Sequence, residues 1–309
     1  MNTIHITLVF LVAIYGILRW GYPRKAEIAS GYLRYVLLGI AAFLILCPFV
    51  WLVCAVFKDK DVLMQYTFLP AVSDWSTKTL NFNNFRALFA GEDTVQGRVY
   101  FQEYVINSLF LASTATSINL FFASMGGYAL SKYEFRGRQG IMAFMIGSMM
   151  FPSMLFLAPV YRMIFAFGWM DTYLALLVPG ACSVFGMFLF RQSMTSVPDS
   201  LIEAARIDGA SEFGIYFNII MPLVRPITGA FCLITFLGSW NSFIGPQVFI
   251  QTQSKLTLPV VLNQYMGVYT QQYGVFLAGT LLAIIPPAVL FFALQKEFVS
   301  GLTSGGVKG

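Results

Sequence analysis

The charged residues of this 309-residue chain stand in clusters, and the gaps between the clusters are long. Uncharged runs occupy Met1–Leu18, Tyr35–Phe57, Tyr104–Leu130, Ile141–Tyr161, Thr172–Phe190, Pro226–Ser254 and Leu256–Leu294. A helix crossing ~30 Å of hydrocarbon needs about 20 residues, so each run is long enough to span a bilayer once. Gly245-Pro246 and Gln251-Thr252-Gln253 shorten the sixth run, and only Tyr273–Leu294 of the last is apolar enough to insert. None shows the period-two alternation of a barrel strand, so all seven read as helices. Every Asp, Glu, Lys and Arg falls outside them. A charge at a helix centre would cost about 2.5–3.5 kcal/mol on insertion scales, against about 0.3–0.6 gained per Leu, Ile, Phe or Val.

Composition narrows the class further. Only 11% of residues are charged and 58% are hydrophobic, with mean hydropathy +0.72. An ordinary soluble domain has about a quarter of its residues charged, so a water-soluble surface is excluded, as is a disordered chain. Four cysteines are too few for a disulfide-stapled module. Cys47 and Cys54 lie seven residues apart on one helix, about 10 Å along its axis and beyond the ~7 Å limit for a bridge.

Threading follows from the basic residues. Placing Arg19–Arg34, Lys132–Arg138, Arg191–Arg225 and the C-terminus on one side gathers 12 of the 19 Lys and Arg there. That side is expected to be cytoplasmic. With seven spans the N-terminus then lies outside. Met1–Leu18 lacks the basic n-region of a signal peptide and reads as an uncleaved anchor, with an interfacial helix as the alternative. His5, the lone histidine, is not read as a metal ligand, and no metal site is expected. The expected organisation is an anchor and linker over 1–34 and one transmembrane domain over 35–309. Within the latter lie an outer loop at 58–103, a cytoplasmic loop at 191–225 and a C-terminal tail at 296–309.

The 191–225 loop has its own helical punctuation. Pro198 suits a helix start, and Ser200-Leu201-Ile202-Glu203 has capping-box spacing. Asp208-Gly209 stops that helix, Gly209 being free to take positive φ. Ser211 is expected to cap a second helix, Glu212 to Ile220, which Pro222 and Pro226 end. Ala204 and Ala205 leave one side flat for another surface. As architecture alone, a pair of interfacial helices resting on lipid headgroups fits equally well.

The residues themselves add more. Glu203-Ala204-Ala205, three residues, Gly209, nine residues, Ile219, one residue, then Met221-Pro222 resembles the EAA loop of ABC-importer permeases, EAA-x3-G-x9-I-x-L-P, with Met221 in place of Leu. Asn107-Ser108, Tyr128-Ala129-Leu130, Phe135-Arg136-Gly137-Arg138, Asp171-Thr172, Trp240-Asn241 and Thr257-Leu258-Pro259 look like the carbohydrate-uptake subfamily. The ending Gly301–Gly309 is similar to that of the maltose-type second (G) permease subunit. The resemblance implies an all-α polytopic membrane protein with the type I ABC-importer transmembrane fold, six core helices plus an N-terminal one. It implies a permease subunit of an ATP-driven, binding-protein-dependent importer of a sugar or sugar derivative, in a prokaryotic inner membrane. Its implied partners are a second permease subunit in a heterodimer, an ATPase dimer and an extracytoplasmic solute-binding protein, with no nucleic acid. ATP and Mg2+ would sit on the partner ATPase, and this chain, a non-catalytic subunit, would bind no cofactor. The sequence contains no GxxxxGK[ST] phosphate loop.

The resemblance also assigns residues. The EAA loop would form a coupling helix seated in a cleft of the ATPase. Glu203 and Asp208 would supply charged hydrogen bonds, Ala204 and Ala205 close contact, Gly209 the elbow, and Phe213 and Phe217 burial. Leu302, Ser304, Gly305, Gly306 and Lys308 look like a tail that reaches between the two ATPase subunits, the alternative being a frayed terminus. For a translocation path the residues alone offer Ser113, Thr116 and Asn119, recurring at i, i+3, i+6, with Asn241 as a second candidate. Such polar residues either line a water-filled passage or mediate helix packing. The aromatics of Leu80–Tyr104 either meet a binding protein or form an interfacial belt. An intramembrane enzyme or a secondary transporter would place ionisable groups within the spans, and the latter would show paired repeats. Neither pattern is present in the sequence.

Overall fold

The computed structural model describes residues 12, 14, 15, 23–94, 97–267 and 272–304, with backbone alone for 23–29 and 300–304. The expected first span, Met1–Leu18 with His5, lies almost wholly outside these residues. The described chain divides into two units, 1–82 and 83–309.

In the first unit, α1 (Pro23–Val56) is a single long helix whose Ser30–Val56 portion is long and apolar enough to cross a membrane. Phe43, Leu44 and Ile45 are all exposed on it, as a helix apolar all round requires hydrocarbon or protein about it. After it the chain folds back through a bridge between Lys58 and Leu80. The buried Lys58 ammonium donates to the carbonyls of Tyr66 and Thr67. Asn81 Nδ2 donates to Asp59 Oδ2 at 3.0 Å.

The second unit opens with α2 (Asn83–Phe89) and a short antiparallel hairpin, β1 (Glu92–Thr94) and β2 (Gly97–Val99). Then comes α3 (Phe101–Lys132), its start closed by Glu103 Oε1 accepting the Tyr100 N–H at 3.0 Å. Its 32 residues extend about 48 Å at ~1.5 Å per residue.

The next two expected spans are not continuous helices. The run expected at Ile141–Tyr161 is broken: α4 (Arg138–Ser148) and the 153–166 helical segment containing α5 (Leu157–Ala166) stand 94° apart, with Pro152 in the break. The run expected at Thr172–Phe190 divides into α6 (Leu174–Leu177) and α7 (Val184–Met194), parted by Pro179-Gly180. Ser183 restarts the helix, its Oγ accepting the Gly186 N–H at 3.0 Å. Apolar content selects the membrane, but proline lacks the N–H that an uninterrupted ladder needs.

Beyond these lie α8 (Asp199–Ile207), α9 (Glu212–Ile215), a π-helical turn at Tyr216–Ile220, α10 (Met221–Leu223) and α11 (Arg225–Trp240). The 212–223 stretch meets α11 at 83°. Two shorter helices, α12 (Ile244–Phe249) and α13 (Leu258–Gln264), precede α14 (Tyr273–Ala283) and α15 (Ile285–Ser304). Despite Pro286-Pro287, Tyr273–Val299 forms one span-length helix. Among the described residues three helices can cross a membrane by length and composition, or five if each bent pair counts once.

The bundle is centred on α3, which packs on α7 and α11, while α11 also packs on α15. Small residues permit the close crossings. A Cβ on Gly127 would sit 2.5 Å from Phe190 Cβ and 2.8 Å from the Arg191 nitrogen, and one on Gly186 would meet the Phe231 ring at 2.5 Å. All four cysteines are free thiols.

Candidate functional site

The 191–225 loop folds as an elbow. Its first helix starts at Asp199, with Pro198 as N-cap and no side-chain cap, so the capping box expected at Ser200 does not form. A first-turn carboxylate stabilises that end instead, and it is tied down: Lys132 Nζ donates to Asp199 Oδ1 at 2.6 Å and to the Val197 carbonyl at 2.5 Å. At the other end Asp208 is the C-cap and Gly209 takes φ 81°, the stop that its residues require. Ser211 caps α9 as expected, accepting the Gly214 N–H at 3.1 Å. The helix expected through Ile220 changes to π-helical at Tyr216.

The two faces of α8 differ. Ile202 and Ala205 are buried in a cluster with Tyr128, Phe190, Ile215 and Tyr216. Ala205 thus packs into the chain's own core, whereas Glu203, Ala204, Asp208 and Gly209 remain exposed. Phe213 and Phe217 are exposed as well, at 62% and 52%. Ile207 is 87% exposed, and sequence reasoning missed it. A helical wheel would have found it, since five residues from Ile202 is about 140° around the helix, away from the core stripe.

Glu212 was also missed, and it binds the elbow together. Its Oε1 accepts from Arg206 Nε at 2.8 Å across the Gly209 turn. Its Oε2 accepts from the Tyr133 hydroxyl and, at 3.5 Å, from that of Tyr128. The Arg206 guanidinium first, then the Tyr133 hydroxyl, hold the Glu212 carboxyl below the usual carboxylate range. A recess of ≈ 210 Å³ lies alongside, between Met125, Tyr133, Glu212 and Phe213.

A second polar cluster grips the far end of α3. Asn107 Nδ2 donates to the carbonyls of Ser254 and Leu256 at 2.7 and 3.0 Å, and Ser108 Oγ accepts the Leu258 N–H at 2.8 Å. Asp171, in the left-handed region at φ 58°, accepts the Gln251 and Thr252 N–H groups, the Thr252 hydroxyl and the Lys255 ammonium. Desolvation, the largest single influence, pushes its carboxyl up, but the Thr252 and Gln251 donors and Lys255 together hold it well below the usual range. About 38 Å of α3 separates Asn107 from Lys132, so the two clusters lie at opposite ends of the bundle.

Between them is a cavity of ≈ 320 Å³ whose lining includes Asn119, Gly180, Thr235, Ser239 and Ser242. Of the four residues proposed for a path, only Asn119 lines it. Ser113 and Asn241 are exposed elsewhere, and the Thr116 hydroxyl is back-bonded to the Ala112 carbonyl at 2.7 Å. Asn119 Nδ2 donates to the Gly180 carbonyl at 2.7 Å and to that of Ala115 at 3.0 Å. It therefore satisfies the backbone freed where α6 and α7 part, the condition for broken helices at membrane depth. Thr235, Ser239 and Ser242 escaped sequence reasoning, although their i, i+4, i+7 spacing is a helical face. In the tail, α15 continues through Leu302 to Ser304, while Gly305, Gly306 and Lys308 lie outside the described residues.

The profile of the family described as binding-protein-dependent transport system inner membrane component matches residues 119–303, a stretch containing the elbow and most of the cavity lining. The chain belongs to this family. Among relatives, the arabinooligosaccharides transport system permease protein AraQ of Bacillus subtilis (strain 168) is 36% identical over 236 residues, covering 76% of this chain and 82% of AraQ. The lactose transport system permease protein LacG of Rhizobium radiobacter is 29% identical over 277 residues, covering 89% and 95%. The fold matches that of a chain in a crystal structure of a bacterial ABC transporter involved in the import of the acidic polysaccharide alginate, with TM-score 0.76, 24% identity and coverage of 90% and 99%. As an inner-membrane component, the chain is the permease subunit of an ATP-driven, binding-protein-dependent importer, a transport subunit and not a catalyst. Its broken helices and its elbow are parts of that permease.

Proposed function

We propose that this permease subunit carries a sugar or sugar derivative inward and that the α8 elbow is where a partner ATPase takes hold of it. One observation carries the reading: α8 is anchored on one face by Ile202, Ala205 and the Lys132–Asp199 pair, and turns Ile207 outward beside Glu203 and Ala204. An anchored helix with an exposed apolar tip among charges suits a protein partner. In this reading two ATPase subunits hold the ATP and Mg2+, and this chain binds no cofactor. A different permease subunit completes the pore, and an extracytoplasmic solute-binding protein delivers the substrate. The basic loops, the elbow and the C-terminus face the cytoplasm. Residues 1–34 form an anchor and linker, 58–103 the outer loop, and 296–309 a tail whose Leu302 to Lys308 portion follows the ATPase. The sugar class is supported by the names of the relatives, and by a cavity whose Thr235, Ser239 and Ser242 hydroxyls suit sugar hydroxyls.

The test uses the full complex in proteoliposomes. Ile207→Asp is expected to remove the ATPase subunit on purification and to cut uptake at least tenfold. Retained ATPase and normal uptake would overturn the docking surface. Uptake of labelled neutral oligosaccharides is expected, with amino acids and oxyanions excluded; the reverse preference would overturn the sugar assignment.

A further inference from the structure

The two arms of the elbow share one buried cluster, and a polar link also crosses between them. The start of α8 is held by Lys132 at Asp199, and its inner face by the burial of Ile202 and Ala205. The same buried cluster takes Ile215 and Tyr216 of the second arm, so apolar packing spans Gly209, but without a directional bond. The polar link across the turn is Glu212, which takes Arg206 of the first arm on Oε1 and Tyr133 and Tyr128 of the α3 end on Oε2. Beside Glu212 and Phe213 the packing leaves a recess of ≈ 210 Å³, so at this point the arms are held by the polar link. Behind it, Tyr216 opens the π-helical turn and its hydroxyl meets Ser124 Oγ at 2.6 Å in the buried interior. Short π-helical stretches are uncommon and concentrate at functional sites.

We propose that Glu212 is the positioning residue of the coupling elbow: one carboxylate sets the angle between α8 and the end of α3, so that force applied to α8 turns the bundle helix and does not merely bend the loop. The inference rests on the docking reading above, but makes a separate claim. Docking belongs to the outward face of α8; transmission belongs to the half-exposed carboxylate that faces Tyr133 and Tyr128. A charged acceptor with donors on both sides is suited to this, since hydrogen bonds to an ionised group are stronger than neutral ones and fix direction as well as distance.

The experiment compares uptake per ATP hydrolysed in the reconstituted full complex. Glu212→Ala is expected to retain the ATPase subunit on purification while uptake per ATP falls at least tenfold, and Glu212→Gln to recover part of the loss. An unchanged ratio in Glu212→Ala overturns the proposal. Tyr133→Phe, which removes one hydroxyl, serves if Glu212→Ala does not assemble. A severalfold loss of ratio is expected there, and a wild-type ratio overturns the proposal equally. In a double-mutant cycle, Tyr133→Phe and Arg206→Gln are expected to be non-additive, because each disables the same carboxylate; purely additive losses would assign the two side chains independent structural roles and overturn the latch. Failure of the docking reading is seen separately, in an Ile207→Asp complex that keeps its ATPase.

Discussion

At the scale of single residues, backbone conformation and one amide do most of the work. Gly209 sits at φ 81° with nothing within 4 Å of where its Cβ would be, so a substitution there meets strain and not a clash. An L-residue in that region costs roughly 1–2 kcal/mol, Asn less than most. We expect Gly209→Val to lower uptake per ATP severalfold while the protein still inserts and assembles, and Gly209→Asn to stay near wild type; equal behaviour of the two would refute a conformational role. Asn119 is the second such residue. Asn119→Leu strands the Gly180 carbonyl that its Nδ2 now satisfies, at a cost of about 1–3 kcal/mol. Detergent thermal melts should show that loss, whereas Ser113→Ala and Thr116→Val should melt within about 0.5 kcal/mol of wild type, as substitutions away from shared networks usually do.

Among elements, the broken helices need external partners, and the Asp171 cluster supplies them to the 250–256 segment. Its carboxyl is depressed, so it releases its proton more readily in the folded chain than in the unfolded one. Stability from the cluster is therefore fully present above the ordinary Asp value of about 3.9, and is lost as pH falls through the lower folded value. Asp171→Asn should destabilise the complex by about 1–3 kcal/mol at neutral pH, and the gap from wild type should narrow below about pH 4. A gap independent of pH, followed by acid melting in detergent, would assign the effect to shape and not to charge. The elbow was legible as an element because its signals are local: Asp208-Gly209 and Ser211 act within a few residues. Lys132–Asp199, 67 residues apart, and Tyr133–Glu212, 79 apart, carry no local signal.

For the whole molecule, the scarcity of charge places the chain in a membrane, and the proposed threading rests on the distribution of Lys and Arg. A membrane-impermeant maleimide should label Ile207→Cys only from the cytoplasmic side and Thr79→Cys only from the outside, in a background without the four native cysteines; the opposite pattern would invert the threading. The fold class, the family and the position of the elbow could all be read from the sequence, because hydrocarbon excludes charge and because the EAA spacing is a contiguous pattern. The continuity of the spans could not, beyond the fact that Pro152 is able to kink its helix. Ile141–Tyr161 and Thr172–Phe190 have the apolar content of single helices, yet each is broken at a proline whose backbone consequences depend on partners elsewhere in the chain. Nor could the sequence say that Ala205 turns inward, or that Asn119 alone of the polar stripe reaches the cavity. By itself the sequence determined where the chain could enter a bilayer and where it had to turn, since those follow from local composition and backbone freedom. Only the tertiary structure decided which side chains face one another, because pairing across 61 residues between Asn119 and Gly180 is a property of packing and leaves no periodic trace.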